Sequence, residues 1–360
     1  MNRREFLLAS AFAAAGLTSS SVPVFAKQGR SRDKLGVALV GLGYYSTDLL
    51  APALQLTKNC YLAGIVTGSP EKIPQWQKKY SIPDKNVYTY ANFDGIANNS
   101  AIDVVYVVLP PSLHRDFVVR AANAGKHVFC EEPMAMTVAE CEAMIAAAAA
   151  NKVRLAIGYR CQHDPNIQAY RAIGRNRPFG APVLLSSVAG FYDPRSKNWR
   201  QIKALGGGSV RDMGIYAIQA ARMATGEEPM LVLAQSSTTR PAIYKDVDET
   251  TQFLLEFPSG ARASCMSSFG VEMNYLNVNY EKGWLRMNPH SQYKGNKGDL
   301  SDGRLIDFSI TNQQARQMDD DCAAIMTQGR LIAPGEEGLR DVRVVEAIYR
   351  SAERQAVVPI

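Results

Sequence analysis

The chain has 360 residues, of which 46% are hydrophobic and 21% charged, and a formal net charge of +6. This is ordinary globular composition at a length that accommodates two domains with full cores. The mild basicity comes without a block of Lys/Arg and without a nucleic-acid-binding motif, which argues against nucleic acid as a partner; it suits anionic ligands such as a dinucleotide phosphate.

In chain order, Arg3-Arg4 precede a short apolar run, Phe6 to Leu17, and then Val24-Phe25-Ala26, a small-x-small cleavage signal. Twin arginines ahead of such a run predict a signal peptide over residues 1–26, read by the twin-arginine export machinery, and a periplasmic mature protein. The run is shorter than the ~20 apolar residues of a spanning helix, so no membrane anchor is expected in the mature form. That route carries folded proteins, which suits a cofactor inserted before export.

Leu35 to Val40 is a continuous apolar run, the pattern of a parallel strand buried on both faces. A glycine-containing turn and a helix-like stretch over 46–57 follow. Strands are predicted at 61–67, 104–109, 127–130 and 154–157, and helices at 73–80, 115–124 and 137–150. The last has Thr137 as N-cap and Glu140 three residues on, a capping box. The alternation predicts an α/β, doubly wound parallel sheet over 27–157. After residue 160, strand-like runs follow one another: 183–189, 230–239, 250–257, 261–269, 275–280 and 284–287. Helical stretches lie at 212–225, 314–328 and 338–355. Residues 158–360 thus read as an α+β domain with an open, mostly antiparallel sheet. The six cysteines fit no C-x-x-C motif and read as small buried hydrophobes. The four histidines show no ligand spacing, so no metal site is expected.

Five motifs could carry chemistry. Gly41-Leu42-Gly43-Tyr44-Tyr45-Ser46 lies between a buried strand and a helix, the context of a dinucleotide-binding turn. At the end of the second strand, Thr67-Gly68-Ser69 offers no carboxylate for a ribose 2′-OH, and Lys72 stands ready for a 2′-phosphate; this favours NADP. Leu109-Pro110-Pro111-Ser112-Leu113-His114 sits at the carboxyl end of the strongest strand, where α/β sheets bind ligands, with His114 read as a helix-start residue rather than a catalyst. Cys130-Glu131-Glu132-Pro133-Met134-Ala135 follows the next strand. Finally, Gly206-Gly207-Gly208-Ser209 is a loop able to pass close to a ligand, with Ser209 as a cap, and Asp212 and Tyr216 four residues apart share a helix face.

Together with Gly125-Lys126-His127, Gly158-Tyr159-Arg160-Cys161, Trp199-Arg200 and Pro334 to Gly338, these motifs resemble the glucose–fructose oxidoreductase / inositol dehydrogenase / rhizopine catabolism (Gfo/Idh/MocA) family, and within it the glucose–fructose oxidoreductase type. The resemblance implies a Rossmann domain, tightly held NADP(H), and a sugar bound between nicotinamide and sheet. It implies Tyr216 as general acid/base, with Asp212 helping to hold the sugar. The cofactor contacts it implies run through Gly41, Gly43, Tyr44, Tyr45, Ser69, Lys72, Leu109, Pro110, Ser112, His114, Glu131, Tyr159 and Arg160. The implied reaction is oxidation of an aldose at C1 to a lactone, coupled to reduction of a second sugar. The alternatives are a cofactor-using glycosidase of the same superfamily or a non-catalytic NADP- and sugar-binding protein. A homo-oligomer is expected because an open sheet exposes a large surface. One position departs from the family: its Glu-Lys-Pro is Glu131-Glu132-Pro133 here. A carboxylate in place of the ammonium raises the Tyr216 pKa and repels a developing alkoxide, and losing one such donor costs roughly 10²–10³ in rate; the alternative is that Glu132 is itself catalytic, taking over as base and giving different chemistry.

Overall fold

The computed structural model describes residues 33–360; the segment expected to direct export lies outside the described residues. Strand β1 (Leu35–Val40) is buried along its whole length. It is the centre of an all-parallel sheet completed by β2 (Cys60–Thr67), β3 (Val87–Thr89), β4 (Val104–Val107), β5 (His127–Cys130) and β6 (Leu155–Ile157), in the order β3-β2-β1-β4-β5-β6. The chain reverses its direction of winding between β1 and β4. The crevice at the carboxyl ends of these two strands is where such sheets take a dinucleotide.

The connecting helices are α1 (Ala51–Leu54), α2 (Ile73–Tyr80), α3 (His114–Asn123) and α4 (Val138–Ala150). Several boundaries move for identifiable reasons. The strand predicted over 104–109 stops at Val107, because Pro110-Pro111 have no N–H to continue the ladder. The helix predicted over 46–57 is a wide turn, Tyr45–Leu50, followed by the single turn α1. It ends where Thr57 Oγ1 donates back to the Leu54 and Cys60 carbonyls. The capping box at α4 is half formed. Thr137 Oγ1 accepts from Glu140 N, but the Glu140 carboxylate accepts from Met136 N instead of Thr137.

Helix α5 (Pro165–Asn176) was not anticipated, although Asp164 caps it by accepting from Asn166 N at 2.8 Å and Pro165 opens it. Then come β7 (Pro182–Gly190), α6 (Ile215–Thr225), β8 (Leu231–Ser237), β9 (Thr250–Glu256), β10 (Arg262–Ser268), β11 (Met273–Tyr280), β12 (Gly283–Met287), β13 (Gly298–Leu300), β14 (Leu305–Ile306), α7 (Gln313–Met326), α8 (Gly335–Arg354) and β15 (Val358–Pro359). The strands form a nine-stranded sheet in the order β14-β13-β12-β11-β7-β10-β9-β8-β15, antiparallel except for β7 with β10. Its strands alternate buried and exposed residues, as along β9 and β10. One face packs on helices and the other is open.

The last two helices tie the sheets together. Met318 and Cys322 of α7 are fully buried in the same core as Val37, Leu39 and Ile65 of the parallel sheet. The Asp319 carboxylate accepts from Lys58 N and Asn59 N, each at 2.8 Å. Helix α8 spans both sheets: Glu346 accepts from Val138 N at the start of α4, and Ser351 Oγ accepts from Ala234 N of β8. At the other end of α8 a buried cluster forms. Arg222 of α6 reaches Asp341 at 2.5 Å, Glu337 at 3.1 Å and Glu228 at 2.6 Å. All six cysteines are free and buried. Among the described residues no helix is long and apolar enough to cross a membrane.

Candidate active site

Gly41 ends β1 with φ +92°, a conformation that disfavours any side chain, and a Cβ there would lie 2.3 Å from the Val108 carbonyl oxygen. A Cβ at Gly43 would meet nothing within 4 Å. The turn therefore presents open space at its tip, at the start of a helical segment, as a pyrophosphate requires. Ser46 Oγ donates to the Gly41 carbonyl at 2.5 Å and closes the turn from behind. Lys72 Nζ donates to the Leu42 carbonyl at 2.9 Å, so its ammonium hangs over the turn from the neighbouring strand end. Ser69 N donates to Thr67 Oγ1 at 3.0 Å, and no acid occupies 67–69. These residues fit a dinucleotide.

At the end of β4, Leu109, Pro110 and Ser112 are half-buried along the crevice. His114 is not there: it is fully buried, with Nδ1 3.0 Å from the Pro133 carbonyl oxygen and Nε2 2.7 Å from that of Leu109. Burial holds the ring below the usual histidine range. It links the loops after β4 and β5.

The loop after β5 carries the two acids. Glu131 is buried, and its Oε1 accepts from Tyr106 Oη at 2.5 Å, which in turn accepts from Gln317 of α7. Burial, and then the neighbouring Glu132 charge, push its carboxyl up to about 8. The Glu131 side chain therefore belongs to the interior rather than to the cofactor surface. Glu132 points the other way. Its Oε1 accepts from Tyr216 Oη at 2.7 Å. Burial, followed by the charge of Asp212, raises Glu132 to about 7, while the Tyr216 hydrogen bond, Arg160 and Arg200 pull it back. Tyr216 is itself held above the usual tyrosine range, first by burial and also by Glu132, with Arg160 acting against both.

Arg160 lies at the Tyr216 phenol. Its Nη2 donates to Tyr216 Oη at 3.2 Å and to the Ser291 carbonyl at 2.8 Å; its Nη1 reaches Gln313 Oε1 and the Gln292 carbonyl. The guanidinium is stacked between the rings of Tyr293, at 4.2 Å, and Tyr216, at 5.2 Å. Tyr159 is withdrawn: it is buried, with its phenol beside the Asp341 carboxylate behind the site. Tyr44 is exposed at the turn. Tyr45 faces Tyr293, with ring centroids 6.5 Å apart. A continuous series of side chains thus runs from the glycine turn through Tyr45, Tyr293 and Arg160 to the Tyr216–Glu132 pair.

Asp212 does not share a regular helix face with Tyr216. It sits in a wide turn, Val210–Gly214, and its carboxylate is taken by Arg200 Nε at 2.7 Å. The glycines before it approach protein, not an open cleft. At Gly208, with φ +114°, a Cβ would lie 2.3 Å from Asp248 Oδ1. Ser209 is not a cap: Asp248 takes that role, accepting from Ser209 Oγ at 2.7 Å and Val210 N at 2.8 Å, while Tyr349 holds its other oxygen. Sequence reasoning missed Asp248, Arg200 as the partner of Asp212, and Tyr293. The first two act across sequence gaps of tens of residues or across a loop, and Tyr293 lies in an irregular segment, so no local pattern marks them.

Residues 35–159 match the oxidoreductase family with an NAD-binding Rossmann fold, and residues 167–286 match the GFO/IDH/MocA C-terminal domain. The chain is 25% identical over 334 residues to D-xylose 1-dehydrogenase [NADP(+)] of Haloarcula marismortui, covering 89% of this chain and 92% of that one. It is 30% identical over 279 residues to D-xylose 1-dehydrogenase (NADP(+)) 2 of Haloferax volcanii, covering 75% and 84%. The crystal structure of aldose-aldose oxidoreductase from Caulobacter crescentus complexed with glycerol superposes with a TM-score of 0.87 at 40% identity, over 91% of this chain and all of that one. With both halves matched in order and the parallel sheet, glycine turn and second sheet in place, the chain belongs to the Gfo/Idh/MocA oxidoreductase family.

Proposed function

We propose that this protein is an NADP(H)-dependent oxidoreductase acting on sugars, oxidising an aldose at C1 to a lactone and returning the hydride to a second sugar. The observation that carries the assignment is the spatial continuity between the glycine turn under Lys72 and the Tyr216 phenol, bridged by Tyr45, Tyr293 and Arg160. The relatives that act on xylose with NADP(+), and the aldose-aldose oxidoreductase, support the substrate class and the cofactor. When bound, the nicotinamide supplies the hydride acceptor. The chain supplies the rest. Tyr216 Oη exchanges the proton of the reacting hydroxyl. Asp212, steadied by Arg200, is placed to accept from a neighbouring sugar hydroxyl. Lys72 opposes a 2′-phosphate.

Export and assembly belong to the same proposal. Residues 1–26 direct the folded protein through the twin-arginine route to the periplasm, which predicts a mature chain beginning at Lys27. The open face of the second sheet exposes Leu184, Leu233 and Leu254, and its cover is a second copy of this chain.

The test is the near-ultraviolet absorbance of reduced nicotinamide in the purified protein. A rise on adding excess glucose, reversed by fructose, is the expected result. A protein that binds NADPH yet gives no change with any aldose refutes the redox assignment.

A further inference from the structure

We propose that the Glu132 carboxylate is the terminal proton acceptor of this site, taking the proton of Tyr216 as Tyr216 takes that of the substrate hydroxyl, with Arg160 as the positioning residue that fixes the phenol oxygen between them. The proposal rests on the redox assignment above. It starts from the phenol oxygen of Tyr216, which sits between the Glu132 carboxylate and the Arg160 guanidinium.

The geometry is that of a relay. Tyr216 Oη donates to Glu132 Oε1 at 2.7 Å and accepts from Arg160 Nη2 at 3.2 Å. One lone pair of the phenol oxygen is left for the hydroxyl of a substrate. Arg160 cannot wander. Its other hydrogen bonds go to the Ser291 and Gln292 carbonyls, the Gln313 side-chain oxygen and the Cys161 thiol, and two aromatic rings enclose it. Those partners are neutral, so its charge is felt at the phenol. A guanidinium beside the phenol does what a lysine ammonium would do, favouring the ionised oxygen. The carboxylate adds what a lysine cannot, an acceptor for the departing proton.

The step balances. The substrate O–H bond breaks and an Oη–H bond forms on Tyr216; the original Tyr216 O–H bond breaks and an O–H bond forms on Glu132 Oε1. The electron pair of the substrate C–H bond leaves with its hydrogen to an oxidised nicotinamide dinucleotide, and the carbonyl forms. Glu132 ends as a neutral acid, and the reverse reaction returns its proton through Tyr216.

The groups facing Glu132 set when it can accept. Tyr216 comes from α6, Asp212 from the wide turn before it, Tyr159, Arg160 and Cys161 from the turn after β6, Arg200 from the loop after β7, Tyr293 from the segment after β12, and Glu131 from its own loop. Burial, and then Asp212, outweigh the cations and the phenol hydrogen bond, placing the carboxyl at about 7. Oxidation therefore gains as pH rises through neutrality and carboxylate replaces acid.

Two measurements on the full protein test this. The first needs no turnover: an infrared pH titration, taken as the difference between wild type and Glu132→Gln, reads the protonated carboxyl band of Glu132. A midpoint near 7 is expected. It should move upward in Tyr216→Phe, which removes the donor that favours the ionised form. The second is single-turnover oxidation of glucose by NADP-loaded protein. The wild-type rate should rise about tenfold per pH unit below the midpoint and then level. Glu132→Gln should lose the limb and fall by about 10²-fold or more. Arg160→Lys should keep the limb at a displaced pH, and Glu132→Asp should recover part of the rate. A Glu132→Gln protein with the wild-type rate and pH limb overturns the relay, as does a Glu132 band indifferent to Tyr216→Phe. A band that shifts with Tyr216→Phe, alongside no sugar oxidation by any variant, upholds the proton pair and overturns the redox assignment alone.

Discussion

Replacing Glu131 by Gln should make the protein less sensitive to alkaline pH. The carboxyl is buried under the loop after β5, hydrogen-bonded to Tyr106, and pushed from the ordinary glutamate value of 4.5 to about 8 by burial and then by Glu132. Its folded-state pKa is raised, so between these values the folded protein holds a proton that the unfolded chain has lost. Stability therefore falls as pH rises from 4.5 through about 8. At about 1.4 kcal/mol per pH unit, the full penalty approaches about 5 kcal/mol above the folded-state value. Water drawn to the ionised group makes that an upper bound. Gln has the same shape, keeps an oxygen for the Tyr106 hydroxyl and never ionises. The assay is urea unfolding of wild type and Glu131→Gln at about pH 5.5 and about pH 8.5. The wild type should lose markedly more stability between these conditions than the variant, by about 2 kcal/mol or more. Equal losses would show that Glu131 reaches solvent or a cation in the folded protein, and the electrostatics proposed for this loop would fall with it.

Lys72→Glu should weaken NADPH binding at least about tenfold relative to NADH, because it opposes a 2′-phosphate with a carboxylate; fluorescence titration of both cofactors measures the ratio, and an unchanged ratio would remove Lys72 from cofactor choice. Gly41→Ala should cost about 1–3 kcal/mol and abolish NADPH binding, since a Cβ at φ +92° meets the Val108 carbonyl at 2.3 Å; thermal unfolding with and without NADPH reads both effects. Arg222→Met should destabilise by about 3–5 kcal/mol, leaving the buried Asp341 without its cation and Glu337 with Arg340 alone; a loss below about 1 kcal/mol in urea unfolding would show that Asp341 is neutral in the folded protein.

The fold was legible in the sequence wherever local periodicity decides structure. The six-residue apolar run of β1, the helix–strand alternation that follows it and the later succession of strands led to a parallel sheet and a mostly antiparallel one, both of which the structure contains. What escaped was mostly too short to carry a period: three-residue β3 and β13, and two-residue β14 and β15; α5 is the exception, since its Asp164-Pro165 start and the spacing of Ile167, Tyr170 and Ile173 were readable signals.

The sequence by itself determined the glycine turn, the absence of an acid after β2, the tyrosine and the paired carboxylates Glu131 and Glu132, because each of these is a property of residues close together in the chain. The tertiary structure decided what those groups touch. It turned Glu131 inward to Tyr106 and Glu132 outward to Tyr216, although the two are adjacent in the bend after β5. It withdrew His114 and Tyr159 from the crevice, and carried Arg160 onto the phenol through main-chain carbonyls of Ser291 and Gln292 more than a hundred residues away. The charge around a proton-transferring group is a sum over neighbours in space, and the chain order does not contain that sum.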